Sequence, residues 1–172
     1  KGSSVCNGHP DSWLDRVTMD NVKLFISHDP KAPYDKSVHG LTFKQARNLT
    51  LRNLEIIWEE PFFAPWRSSL YLEDIDGLVL EGFQSGPSPS KGTPAGTPAI
   101  ALHQVKDAII RNGKALAGTD VFVGVTGEKS TGIVFYGNDI RQAKRLYTTD
   151  LKDDYLRIRE FQNIIPPPSR PK

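Results

Sequence analysis

The chain has 172 residues, and its 22 lysines and arginines nearly balance its 20 aspartates and glutamates, for a net charge of +2. It has no block of one charge sign and no apolar run of the roughly 20 residues needed to cross a bilayer, so we expect neither a nucleic-acid nor a membrane partner. A single cysteine, Cys6, cannot form an internal disulfide, and the four histidines lack the spacing of metal ligands, so we expect no metal and no cofactor.

A short phrase recurs five times along the chain. Each copy has two apolar residues separated by one residue, then one further residue, and then Asn or Gly. The copies lie at 17–22, 49–54, 78–83, 108–113 and 133–138. The Asn or Gly recurs after 32, 29, 30 and 25 residues, and a period of that size is typical of stacked repeats. The alternation within the phrase predicts a strand with one buried face.

The fifth position of the phrase predicts a sharp corner of the backbone. Its occupants are Asn21, Asn53, Gly82, Asn112 and Gly137. Asn and Gly accept a left-handed backbone at little cost, and an apolar residue then starts the next strand. Stacked asparagine amides are expected to hydrogen-bond from coil to coil, with interruptions at the glycines.

A further strand is expected ahead of the phrase, which we call the leading strand of each coil. It is placed at 41–43, 70–72, 100–102 and 121–123. Three short strands per coil predict an all-β fold, a right-handed parallel β-helix (solenoid) of about five coils over residues 1–150. The predicted inward residues of one coil are Leu41, Phe43, Ala46, Leu49 and Leu51. A leucine-rich repeat is the main alternative, but its motif places two residues between the last leucine and the asparagine, where this chain has one.

Two loops and the C-terminal segment depart from the repeat. The loop at 59–66 contains Phe62, Phe63 and Trp66, which we interpret as a local apolar cluster against the side of the helix. The loop at 84–98, rich in proline and glycine, is interpreted as a surface excursion. The prolines of residues 151–172 predict a Pro-rich tail that does not continue the strands.

Three stretches carry a resemblance to a known family. They read NGHPDSWLDRVTMDNV (7–22), SLYLEDIDGLVL (69–80) and GNDI (137–140). They resemble the last coils of bacterial proteins related to glycoside hydrolase family 28, the polygalacturonase-like β-helices of the pectin lyase-like fold. The resemblance implies a secreted or periplasmic carbohydrate-active enzyme that hydrolyses pectic, uronic-acid-containing polysaccharide with inversion. It also implies a C-terminal fragment of a longer β-helix, because the family's catalytic coils precede the matching segment.

The family's catalytic motifs have no match in this chain. They run Asn-x-Asp, Asp-Asp, Gly-His-Gly and Arg-x-Lys. The pair Asp153-Asp154 lies beyond the repeats, and His9 is followed by Pro10 instead of glycine. We therefore assign no catalytic residue to the chain.

Outward residues of the leading strands predict a substrate surface. They alternate with inward residues and are Thr42 and Lys44, Tyr71 and Glu73, Ala101 and His103, and Phe122 and Gly124. From these we predict polysaccharide binding by Lys44, Tyr71, Glu73 and His103. Lys44 and His103 would meet a uronate carboxylate, and Tyr71 would stack on a sugar ring.

The alternative function is a non-catalytic β-helix for glycan binding, adhesion or assembly. In either case the first coil, with Leu14, Val17 and Met19, is expected to expose apolar residues and unpaired strand edges. Such edges pair with other strands, so we expect self-association or a missing N-terminal portion there.

Overall fold

The computed structural model describes residues 2–29, 31 and 37–166. These residues are mostly in strands, with almost no helix, and form a parallel β-solenoid of about five turns, as the sequence predicts. The strands are β1 (Ser4–Asn7), β2 (Leu14–Asp15), β3 (Thr18–Ile26), β4 (Leu41–Trp58), β5 (Leu70–Glu81), β6 (Gln84–Ser85), β7 (Pro98–Arg111), β8 (Lys114–Ala115), β9 (Thr119–Thr126), β10 (Thr131–Tyr136), β11 (Ala143–Thr149) and β12 (Ile158–Phe161). The described part of the chain has one helix, the single turn α1 (Asp154–Arg157).

Neighbouring coils pair in parallel and in register on three faces. The leading strands stack in the order β1, β4, β5, β7, β9 and β11, with Leu41, Leu70 and Ile100 side by side. A second face stacks β3, β4, β5, β7, β10 and β12, and a third stacks β4, β6 and β8. Strands β4, β5 and β7 bend through corners and so contribute to more than one face.

The predicted corner column is confirmed. Asn21, Asn53 and Asn112 have φ angles of 54°, 47° and 54°, and Gly82 and Gly137 have 67° and 63°. The Asn53 side-chain amide donates to the Asn21 oxygen at 3.0 Å, as expected for stacked asparagines. Gly82 has no side-chain amide to continue this stack. The side-chain amide of Asn112 therefore donates to the carboxylate of Glu81 instead, at 3.5 Å.

Two further corner columns were missed from the sequence. One contains Asn48, Gly77, Asp107 and Gly132, and the other contains Gln45, Asp74 and Gln104, all with positive φ. Gln and Asp also occur at ordinary surface positions, so these columns carry less sequence signal than a run of Asn and Gly.

The core lies inside the coils. The predicted inward residues Leu41, Phe43, Ala46, Leu49 and Leu51 are each at most 1% exposed, and equivalent residues of the other coils join them in one cluster. In the first coil Leu14, Val17 and Met19 pack against this cluster but are only partly buried.

The strand pattern extends into the predicted tail. Strand β12 pairs in parallel with β10, from Ile133 opposite Ile158 to Tyr136 opposite Phe161. Our expectation that residues 151–172 do not continue the strands is therefore wrong for β12, because its four residues contain no proline and can complete the ladder. Gln162, with a φ of 53°, forms a corner at the position that the phrase reserves for Asn or Gly. Residues 167–172 of the predicted tail lie outside the described residues.

The aromatic loop forms the local cluster predicted for it. Trp66 is fully buried, and Phe62 and Phe63 pack against the core. The rings of Phe63 and Trp66 meet edge to face with centroids 6.0 Å apart. In the proline-rich loop the Thr93 hydroxyl donates to the Trp66 carbonyl at 2.9 Å, so this excursion packs on the aromatic loop.

Candidate functional site

The stacking register brings the four predicted site residues together. Lys44, Glu73 and His103 are successive register partners on β4, β5 and β7, and Tyr71 stands two residues before Glu73 on β5. Adjacent strands of a sheet lie about 4.8 Å apart, so these side chains form a continuous surface. We call Lys44, Tyr71, Glu73 and His103 the leading-strand face.

An ion pair lies at the centre of this face. The Lys44 Nζ is 2.6 Å from Glu73 Oε2, and both side chains are partly exposed. Burial acts to raise the pKa of Glu73, but hydrogen bonds from Lys44 and Tyr71 and the charge of Lys44 outweigh it and hold that pKa below its ordinary value. Glu73 is therefore ionised at neutral pH, which suits it to accept hydrogen bonds and not to donate a proton.

The ring of Tyr71 is partly covered. The imidazole of His39 stacks on it with centroids 4.4 Å apart and planes at 10°, and Lys44 Nζ lies 5.7 Å from the Tyr71 centroid. Burial, followed by the charge of Glu73, raises the pKa of Tyr71 to about 12, so the phenol stays protonated and can donate a hydrogen bond. At most one face of the ring is left for a sugar.

His103 is oriented by a residue that sequence reasoning missed. Its Nδ1 lies 3.0 Å from Thr126 Oγ1, and the Thr126 hydroxyl lies 3.2 Å from the Leu102 carbonyl, to which it donates. Since a hydroxyl has one proton, Thr126 accepts from Nδ1–H of His103. Nε2 is then the ring nitrogen of His103 that this hydrogen bond leaves available.

The leading strand of the fifth coil, β9, is offset from its predicted position. Gly124 pairs with Ala101 and Thr126 with His103, so this strand aligns two residues later than we expected. The prediction that Phe122 points outward is wrong: it is fully buried, with its ring 6.3 Å from that of Phe83. Gly124 is also covered, because a Cβ there would lie 2.8 Å from the Pro98 ring. Residues 121–125 are all buried, so no alternation of buried and exposed residues marks the register of this strand in the sequence.

Thr42 is likewise not available on the surface as predicted. It is 2% exposed, because Ser37 covers it and the two hydroxyl oxygens lie 2.9 Å apart. Ser37 belongs to the chain that leads into β4, where no periodic pattern marks its position.

A cleft of 360 Å³ opens beside Lys44 and Tyr71. Its lining residues are Val5, Asn7, Ser37, Val38, His39, Thr42, Lys44 and Tyr71. Burial, and then the charges of Lys44 and Arg67, lower the pKa of His39 to about 4, so its imidazole is neutral at pH 7. The His39 Nδ1 is buried and has no hydrogen-bond partner among the described residues.

A second cavity, of 500 Å³, lies at the other end of the leading strands. Glu128, Asp150, Lys152 and Arg157 contribute its charged lining. Asp150 follows Thr149, the register partner of Val125, so it continues the outward column of Glu73, His103 and Thr126. Its Oδ1 accepts a hydrogen bond from the Gly127 amide at 3.2 Å.

Metal-site and membrane features were also sought. Across residues 2–29, 31 and 37–166, no three His, Cys, Asp or Glu side chains come together as metal ligands would. Within the same residues no helix is long and apolar enough to span a membrane.

Compared with the models of protein families and with curated proteins, the chain matches none of them. The polygalacturonase-like family therefore remains a resemblance carried by residues 7–22, 69–80 and 137–140, whereas the parallel β-solenoid stands on the structure itself.

Proposed function

We propose that this chain is the C-terminal β-helix portion of a polygalacturonase-like, carbohydrate-active protein, and that its leading-strand face binds uronic-acid-containing polysaccharide. The observation that carries the proposal is the assembly of Lys44, Tyr71, Glu73 and His103 on three successive coils. The family part of the proposal rests on the sequence resemblance alone.

The chemistry of the face suits a saccharide. Lys44 supplies hydrogen-bond donors and Glu73 supplies acceptors, while Nε2 of His103 adds a further polar atom. Sugar hydroxyls both donate and accept, so such a mixture matches them better than a surface of one charge sign. Because the column repeats at about 4.8 Å per coil, it favours an extended polymer lying along the solenoid axis.

Binding without hydrolysis is the property we propose for these residues. Inverting hydrolysis needs two carboxyl groups roughly 6.5 to 9.5 Å apart, one of them protonated. Glu73 is ionised and paired with Lys44, and Asp150 stands three strand spacings from it, about 14 Å away. This arrangement favours the alternative of a non-catalytic glycan-binding or assembly role for the chain on its own. Hydrolysis by the whole protein would need carboxylates from other coils.

The proposal also covers the location of the protein and the partner of its first coil. A polysaccharide substrate outside the cell would require a secreted or periplasmic protein. The outer edges of β1 and β3 have no strand partner in the described part of the chain, and Val17 and Met19 are only partly buried there. We propose that further coils, or a second copy of the chain, pair with this edge.

Calorimetric titration with trigalacturonate tests the binding. We expect measurable affinity for the 172-residue chain, and a loss of about tenfold for each of Lys44→Gln and His103→Ala, because each removes one charge-assisted or oriented hydrogen bond. Lys106→Gln is the matched control, since Lys106 is also exposed but lies on the next face of the coil. Absence of binding, or an equal loss in the Lys106 variant, would refute the proposal.

Release of reducing ends from pectic oligosaccharides tests the absence of hydrolysis. We expect no enzymatic turnover by the 172-residue chain. Robust turnover that Glu73→Gln abolishes would show that Glu73 is a catalytic acid and that the binding-only account is wrong.

A further inference from the structure

One side of the solenoid carries its charges in a regular order. It consists of residues 15–20, 47–52, 76–81 and 106–111, which are in register in the first four coils, and we call their outward side chains the lateral surface. At the edge beside the corner column, the outward residues of successive coils are Asp20, Arg52, Glu81 and Arg111. Their charges therefore alternate along the solenoid axis, starting with a negative charge.

A second column repeats this alternation at the opposite edge of the lateral surface. From the first coil to the fourth, its residues are Asp15, Arg47, Asp76 and Lys106. Both edges thus have a negative charge in the first and third coils and a positive charge in the second and fourth. The fifth coil continues this side of the solenoid with uncharged residues at 131, 132, 134 and 136.

The left-handed corner between the two edges has one charge at each end. It begins with Arg16 and ends with Asp107, and the uncharged Asn48 and Gly77 lie between them, all with positive φ. At every charged position of the lateral surface, the first coil is therefore opposite in sign to the fourth, and the second is opposite to the third. Reversing the order of the coils inverts the whole charge pattern.

Ion pairs within one molecule account for only part of this pattern. Glu81 lies 3.0 Å from Arg111 and 3.9 Å from Arg52, and Arg16 lies 3.2 Å from Asp15. The other five charged side chains of the lateral surface are exposed and form no ion pair within the described residues, namely Asp20, Arg47, Asp76, Lys106 and Asp107. Half of the charges are therefore available to a partner.

The shape of the lateral surface follows the same reversal. A groove of 240 Å³ opens over Gly77, where the missing side chain leaves space between Asn48 and Asp107. Val79 and Ile109 contribute its apolar lining, and Ile109 is 42% exposed. When the coil order is reversed, Asn48 of one copy lies opposite Gly77 of another, so the larger side chain faces the groove.

We propose that the lateral surface binds a second copy of this chain, about a two-fold axis that is parallel to the strands and lies between the second and third coils. The solenoid axes of the two copies then run in opposite directions. Asp20 faces Arg111 of the second copy and Arg52 faces Glu81 of the second copy. Each of these contacts occurs twice, as in any interface formed by one patch with itself.

The charges also exclude the other simple two-fold arrangement. An axis parallel to the solenoid would place each coil beside the same coil of the second copy. Asp15 would then face Asp20 and Arg47 would face Arg52, and like charges in contact disfavour such an arrangement. The charge pattern therefore selects the dimer with reversed coil order.

A second copy fits this surface better than a partner of one charge sign. The lateral surface carries five acidic and five basic residues, so it has no net charge, but it complements itself when reversed. Its first and fourth coils are three strand spacings apart, about 14 Å. The interface is therefore smaller than the roughly 800 Å² per partner of a standard interface, and we expect a weak dimer. The leading-strand face stays exposed in both copies, so this inference does not depend on saccharide binding.

Charge reversal followed by mixing tests the inference. Asp20→Lys places a lysine opposite Arg111 of the second copy, and Arg111→Glu places a glutamate opposite Asp20. Each variant alone therefore has two repulsive contacts in its dimer. When the two variants are mixed, the introduced lysine faces the introduced glutamate, and the second contact is the native one. Sedimentation equilibrium of the 172-residue chain at low salt measures the dimer, because salt screens such contacts.

We expect the wild-type chain to form a dimer whose proportion rises with concentration. Each variant alone should raise the dissociation constant of the dimer at least about tenfold, and the mixture should restore it to near the wild-type value. Asp11→Lys is the matched control, because it makes the same charge change at a fully exposed residue outside the lateral surface. It should dimerise as the wild type does, and mixing it with Arg111→Glu should restore nothing.

Recovery on mixing separates repulsion in the interface from a loss of folding. A second pair, Asp15→Lys with Lys106→Glu, should behave in the same way and keeps the test valid if Arg111→Glu does not fold beside Glu81. A wild-type chain that stays monomeric at high concentration, or mixtures of folded variants that associate no better than the variants alone, would overturn the inference. Dimerisation that none of the reversals weakens would place the contact elsewhere, for example at the edge of the first coil, and would also overturn it.

Discussion

The corner column and the column of Lys44, Glu73 and His103 on the leading-strand face obey opposite rules, although both stack one residue per coil. The corner column repeats one chemistry, with Asn21, Asn53 and Asn112 interrupted only by glycines until Gln162. The leading-strand column changes at every step, from Lys44 to Glu73 to His103 to Thr126. Backbone geometry restricts the residue types of the corner column but not those of the leading-strand column. Repetition in this solenoid therefore identifies its architecture, and variation within the repeat marks the face on which we propose ligand binding.

Among substitutions in the repeated part of the molecule, we expect those in the core to lower the free energy of unfolding most. Leu80 is fully buried between its register partners Leu51 and Ile110. Leu80→Ala should lower the free energy of unfolding by about 2 to 5 kcal/mol, because it removes buried methyl groups and leaves a cavity. Urea unfolding measures it. The neighbouring Glu81→Ala, which removes a partly exposed side chain, should cost much less. Equal costs would contradict the assignment of inward and outward faces.

The pH dependence of stability should come partly from His39. Its pKa is about 4 in the folded chain and about 6.5 when unfolded, so between these values the unfolded chain binds the additional proton. Stability therefore falls as the pH falls from about 6.5 to 4, by up to about 3 kcal/mol for this group. Urea unfolding at pH 7, 5.5 and 4 measures the slope. His39→Gln should flatten it, whereas His9→Gln, at an exposed histidine, should not; an unchanged slope in His39→Gln would refute the assignment.

The corner column should resist β-branched residues. Asn53 has a φ of 47° and donates to Asn21, so Asn53→Val should destabilise the chain by about 1 to 3 kcal/mol through backbone strain and the lost hydrogen bond. Asn53→Gly keeps the backbone conformation accessible and should cost less. Thermal unfolding of the two variants measures the difference. Indistinguishable variants would mean that the corner conformation is not what selects Asn and Gly.

The smallest effect should come from the ion pair on the variable face. Lys44 and Glu73 are both partly exposed, so a double-mutant cycle with Lys44→Ala and Glu73→Ala should give a coupling of about 0.2 to 1 kcal/mol. Urea unfolding of the wild type, the two single variants and the double variant gives this number. A coupling of several kcal/mol would place the pair in the structural part of the molecule and weaken its assignment to ligand binding.

The repeated part of the fold could be predicted because its physical requirements recur in every coil. A left-handed corner admits few residue types, and an inward position needs an apolar side chain, so Asn53 and Leu51 each carry a signal that five copies reinforce. The prediction was wrong where that signal weakens. Residues 121–125 are buried throughout and lose their alternation, and Gln162 forms a corner without Asn or Gly.

The site could be predicted only in part, for the same reason. The sequence places Lys44, Tyr71, Glu73 and His103 on one face because they alternate with inward residues on regular strands. His39 lies in the connection ahead of β4, where no period applies, and its stacking on Tyr71 depends on the path of that connection. Thr126 was missed because its strand was placed two residues early. A sequence repeat therefore locates the face, and the contacts made by irregular segments have to come from the structure.

The central claim is that the leading-strand face binds acidic saccharide. Amide chemical-shift mapping by NMR with trigalacturonate tests it most directly, because residues on the three faces of the coil give separate amide signals. The account predicts the largest shifts at residues 42–44, 71–73 and 101–103. Shifts concentrated instead at 50–52, 79–81 and 109–111 on the second face, or no shifts at saturating ligand, would contradict it.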